Sequence, residues 1–159
     1  MLKLNLQKEP YWLDLPAQIK VKVKPLSTAV MSVAQHQSIQ ELLAMQQERK
    51  ARLDAGADAR DLPNLEDAAV RRSFTETVLV KALARQAIIE WQGVMQPDND
   101  SPADITDQTV SELMDIWFVA DAFWKKYMQS LDLLELEGNG SRPAVNGTSA
   151  AGLDTAATA

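Results

Sequence analysis

The stretch Ile19-Lys20-Val21-Lys22-Val23-Lys24-Pro25 alternates without a fault. Ile19, Val21 and Val23 point one way, and Lys20, Lys22 and Lys24 the other. That is the period of a β-strand with one face on a core and one in water. Lysines along such a strand also discourage edge-to-edge pairing with other chains. Upstream, Tyr11, Leu13 and Leu15 alternate in the same way, and so do Leu2, Leu4 and Leu6. Pro16-Ala17-Gln18 separates two of these runs and reads as a turn. The N-terminal quarter, residues 1–25, is therefore expected to be an antiparallel sheet of two or three strands. Such a sheet is marginal alone and needs helices to cover it.

Pro25 ends the strand run, and the rest of the pattern is helical. Ser27 or Thr28 can cap a helix that runs through a stretch free of Gly and Pro and stops at Gly56. A connector rich in Asp and Ala leads to a second helix, expected from about Leu65 to Trp91. Its apolar face collects Leu65, Ala69, Val80, Leu83, Ala84, Ala87, Ile88 and Trp91. Arg71, Lys81 and Arg85 fall on its expected solvent side. Thr106 suits the cap of a last helix, in which Leu113, Trp117, Ala120, Trp124, Tyr127, Leu131 and Leu134 recur at steps of four and three. Trp117 and Tyr127 are read there as core. Phe123 and Met128 widen the stripe, and Phe118 lies off it. Residues 138–159 contain no aromatic and few large aliphatics, and are expected to be a disordered tail. The expected fold is α+β and mostly helical: a small N-terminal antiparallel sheet packed on three or four helices, in one domain over residues 1–137, with residues 27–137 helical.

The chain has 159 residues, 46% apolar and 24% charged, with a net charge of −6. The distribution of charge is more telling than its sum. Residues 1–24 carry five lysines against Glu9 and Asp14, whereas residues 86–137 carry eleven acids against Lys125 and Lys126. A nucleic-acid binder needs a dense basic face, and only the short lysine strand could supply one, so nucleic acid is not an expected partner. No run of about 18 apolar residues is present, and a membrane is not an expected partner either. The N-terminus lacks an apolar stretch of signal-peptide length, so the expected location is the cytoplasm. There is no cysteine and one histidine, His36. No phosphate-binding loop, dinucleotide fingerprint or nucleophile elbow appears, so no catalytic residue and no cofactor is assigned and the chain is read as a non-enzyme. Asp98, Asn99 and Asp100 invite a calcium reading, but Pro102 intrudes and the required glycine and terminal glutamate are absent, so no metal is assigned. What remains is a binding or structural protein. The aromatic surplus of the last helix nominates Phe118 as a partner contact, with Trp117, Met128 and Trp124 around it.

Four segments carry a resemblance to a known family: the strand-to-helix junction "VKVKPLSTAVMSVA", the helix "VKALARQAIIEWQGV", the stretch "ITDQTVSELMDIWFVADAFWKKYM" and the tail "EGNGSRPAVNGTSAAG". Together they resemble the small tail assembly chaperones of long-tailed, siphovirus-like bacteriophages and of phage-like particles. The resemblance implies a protein that binds the long helical tape measure protein and keeps it soluble in the bacterial host cytoplasm. It also implies absence from the mature virion and, through a translational frameshift near the C-terminus, a longer form that recruits tail tube protein. Glu137-Gly138-Asn139 can be encoded by a slippery heptamer, at the point where the expected domain ends. Self-association is left open. Two rival readings are a head–tail joining or tail-completion protein of the same particle and a small helical regulatory cofactor.

Overall fold

Two short strands open the structure, and the second is the centre of the sheet. In this computed structural model the backbone is described for residues 7–98 and 100–139, and side chains through residue 129. β1 (Tyr11–Asp14) and β2 (Lys20–Val23) form an antiparallel hairpin, with Leu13 opposite Val21 and Trp12 opposite Lys22. The turn between them holds Ala17 and Gln18 at φ 60. The Leu15 amide donates to the Ile19 carbonyl at 2.7 Å, which leaves Pro16-Ala17-Gln18 as a three-residue loop, and the left-handed backbone at Ala17 and Gln18 is strained for residues with a Cβ. Gly93, at φ +80, lets the chain pass this turn: a Cβ there would lie 2.7 Å from the Gln18 carbonyl oxygen. The alternation expected for Leu2, Leu4 and Leu6 lies outside the described residues.

The third strand is not N-terminal. β3 (Ile88–Gln92) pairs antiparallel with β2, giving the order β1-β2-β3. This corrects the expectation of one helix through Trp91 and of an all-helical region after residue 27. The helix α2 (Ala68–Ala87) ends where Ile88 turns extended, and the chain enters the sheet without an intervening loop. The Lys24 amide donates to the Ala87 carbonyl at 2.9 Å and holds the junction against the end of β2. The register of β3 slips between Lys22 and Val23, so Ile89 is an extra, exposed residue. Such a bulge puts Ile88 and Trp91, three apart, on the same buried face, a spacing that in sequence imitates a helix.

The remaining helices follow their capping chemistry. In α1 (Thr28–Asp54) the Ser27 hydroxyl accepts from the Val30 amide, and Gly56 at φ 70 lies just beyond the C-terminal end. Arg52 then pairs with Asp61 at 2.9 Å, and Arg49 donates to the Ala59 carbonyl at 3.1 Å, so the connector is tied back to α1. α2 is capped by Asp67. The last helical region is two helices, not one: α3 (Asp107–Asp115), with reciprocal Thr106–Thr109 capping, and α4 (Trp117–Asn139). α4 passes the expected domain end at residue 137, and the tail expectation for 140–159 lies outside the described residues.

One face of the sheet is core. Leu13, Val21 and Trp91 form one cross-strand row, Val23 and Ile88 another, and they pack with Ala82, Leu83 and Ala87 of α2 and with Val119, Phe123 and Tyr127 of α4. The buried Trp91 indole donates to the Ala103 carbonyl at 2.8 Å, and the Tyr127 hydroxyl to the Lys24 carbonyl at 2.9 Å, so both polar tips are satisfied. On the opposite face Lys22 pairs with Glu90 at 3.2 Å and lies 5.8 Å from the Trp12 ring.

Candidate functional site

The break at Ile116 creates the site. Ile116 is extended, with ψ 100, and its own amide still reaches the Leu113 carbonyl at 3.3 Å. α4 therefore restarts with a new rotational phase. On α3 the buried residues are Val110, Leu113 and Met114. On α4 they are Val119, Phe123 and Tyr127, four apart, with Phe123 stacked on Tyr127 at 5.3 Å between ring centroids. The expected single seam through Leu113, Trp117, Ala120 and Trp124 does not form. Trp117, read from sequence as core, is instead 77% exposed. A continuous helix would have carried the stripe straight on, and one extended residue rotates it away. Leu131 and Leu134, the last members of that seam, fall among the side chains not described.

The displaced stripe lines a groove of about 680 Å³ between α2 and α4. Leu79 and Val80 form one wall, Trp117, Ala120 and Trp124 the other, and Met114 of α3 contributes from the end. Glu76, Asp115 and Asp121 complete the lining as acids. Each has a cation within the chain: Arg72 lies 3.4 Å from Glu76, Lys81 2.5 Å from Asp115 and Lys125 2.7 Å from Asp121. Two of these three pairs, Arg72–Glu76 and Lys125–Asp121, are solvent-exposed pairs within a single helix. Pairs of this kind contribute only about 0–1 kcal/mol and exchange partners readily.

Of the four residues nominated from sequence, the structure brings Trp117 and Trp124 together in this groove. Phe118 is 40% exposed but does not line it. Its ring stands perpendicular to that of Trp117, at 5.9 Å between centroids and 89°, so it buttresses the exposed indole from outside. Met128 is half-buried and packs against the core. The sequence reading missed the α2 wall, Leu79 in particular. The signal for it was weak, because Leu79 belongs to the same apolar run as the core residues Val78 and Leu83.

A second, smaller cleft of about 350 Å³ lies between α1, α2 and the start of α3, with His36 and Gln37 on its α1 side. Arg85, expected on the solvent side of α2, is largely buried here. It is ion-paired with Glu41 and donates to the Ser111 hydroxyl at 3.0 Å. Its guanidinium thus ties α1, α2 and α3 together. The long side chain escapes the helix surface because α1 and α3 flank it. Burial, with a contribution from Tyr11, pushes the Tyr127 phenol well above its ordinary value, so it stays a hydrogen-bond donor. Among the described residues no group of three or more acids and histidines is placed to hold a metal ion, and no helix is long and apolar enough to cross a membrane.

No family model, curated protein or solved structure matches this chain.

Proposed function

We propose that this chain is an assembly chaperone: it holds a long helical client, the tape measure protein of a phage-type tail, in soluble form and helps deliver tail tube subunits to it. The observation that carries this reading is the open groove walled by Trp117 and Trp124. Trp117 leaves about three quarters of a large apolar residue in water, and aromatic residues of this kind are the usual anchors of protein interfaces. The groove is apolar at its walls and acidic at its rim, which suits transient capture of apolar helix surface by a protein that must itself stay soluble. The resemblance of the sequence to tail assembly chaperones supplies the identity of the client.

The test is co-expression with a tape measure protein. The full chain should keep the client in the soluble fraction, and the double substitution Trp117→Ala, Trp124→Ala should lose it. Client that is equally soluble with and without the chain overturns the proposal. Finding the chain in purified finished particles would make it a structural tail component instead.

A further inference from the structure

The groove also constrains the kind of segment that fits it. We infer that its occupant is an α-helical segment with an apolar stripe flanked by lysine or arginine, an inference that rests on the client-binding reading above.

The helical form follows from the walls. Both are α-helices, so their backbone amides and carbonyls are already paired along their own axes. An extended segment needs main-chain partners from a sheet edge, and this groove presents none. A helix brings its own backbone bonds and needs only side-chain contacts. The α4 wall from Trp117 to Trp124 spans about two turns, or about 11 Å, so it accepts apolar anchors at i, i+3 or i+4, and i+7. Trp117 is the most exposed large apolar residue of the groove lining and is the side chain that an incoming stripe covers most.

The flanking charge follows from the rim. Asp115 and Asp121 border the α3–α4 end, and Glu76 the α2 side. Further along α3 stand Asp107 and Glu112, and between residues 86 and 124 there is no lysine or arginine at all. The cations that now meet the rim acids come from Arg72, Lys81 and Lys125, and the exposed pairs among them are easily exchanged. A basic flank would share the rim acids and add to the single cation, Lys81, that meets α3 at Asp115, whereas an acidic flank would meet like charge at close range.

Two synthetic probes test this: an 18-residue helical peptide with a leucine/alanine stripe and lysine flanks, and its twin with glutamate flanks. Binding to the full chain is read by tryptophan fluorescence and calorimetry. The lysine peptide should bind at least tenfold tighter at low salt, and the gap should shrink as salt rises. Charge reversal at Asp115→Lys and Asp121→Lys should reverse the preference, while Trp117→Ala should weaken both peptides together. Equal affinities, a preference for the glutamate peptide, or no binding by either overturns the inference. So does an extended valine/lysine peptide that binds as well, or self-association of the chain that Trp117→Ala abolishes. The two levels separate cleanly. Client solubility that depends on Trp117 while the peptides show no charge preference leaves the chaperone reading standing and removes this one. A charge preference without any effect on client solubility does the reverse.

Discussion

Replacing Trp117 by alanine separates binding from folding in one experiment. The residue is 77% exposed. Taking an accessible surface of up to about 250 Å² for a tryptophan, about 190 Å² faces solvent and about 60 Å² is already covered. At about 25 cal/mol per Å², the covered part contributes about 1.5 kcal/mol to stability, and the exposed part offers at most about 5 kcal/mol to a partner. Interfaces recover only a fraction of such area, so a loss of about 2 kcal/mol, or roughly 30-fold in affinity, is the expected effect on binding. The melting temperature should fall by only about 3–6 °C, on the scale of a domain this size. Thermal melts and peptide titrations on the same preparation give both numbers. A fall of more than about 12 °C would mean that the indole is structural. An unchanged affinity in a normally folded variant would mean that the groove is not the docking site. Either result refutes the reasoning. Phe118→Ala, which removes only the buttress outside the groove, should fold normally and weaken binding less than Trp117→Ala.

Other expectations follow from the core and the turns. Phe123→Ala removes a fully buried ring stacked on Tyr127 and should cost about 3–5 kcal/mol, read as a large drop in melting temperature. Gly93→Ala forces a Cβ to within 2.7 Å of the Gln18 carbonyl at a positive φ, and should lower the urea midpoint by an amount equivalent to about 2 kcal/mol with the slope unchanged. The pair Ala17→Asn and Gln18→Gly supplies residues that tolerate the left-handed backbone of this loop, and should raise stability by about 1 kcal/mol in the same denaturation assay. The Tyr127 phenol is raised in the folded state, so its contribution is fully present below the unfolded phenol's value of 10.0. Above that pH the unfolded chain loses a proton that the folded chain keeps, and stability should fall by up to about 1.4 kcal/mol per pH unit until the folded phenol itself titrates. Tyr127→Phe should remove this alkaline slope.

Much of the architecture is local and could be read from residue order alone. The perfect alternation of Ile19–Lys24 determined a strand with one wet face, because side chains in a strand leave alternately up and down. Ser27, Gly56 and Thr106 determined helix ends, because capping is settled by a hydroxyl or a missing Cβ at one position. The α+β class followed from these signals.

What the sequence did not determine is wherever contact between distant segments overrode a local period. The strand Ile88–Gln92 exists because β2 offers a free edge to it, and its bulge disguises the alternation as a helical i, i+3 step. Arg85 looked like a surface cation on an isolated α2 and became buried because α1 supplies Glu41 and α3 supplies Ser111. The groove depends on the same kind of decision. The sequence showed that the last helix carries more aromatic surface than one face needs. Only the extended residue at Ile116, together with the packing of Val119, Phe123 and Tyr127 against the sheet, decided that Trp117 stands in an open groove facing α2 and not in the core, with the half-buried Trp124 lining that groove from the core's margin. A periodic stripe specifies that residues share a face; which face is buried is decided by the surface that meets it.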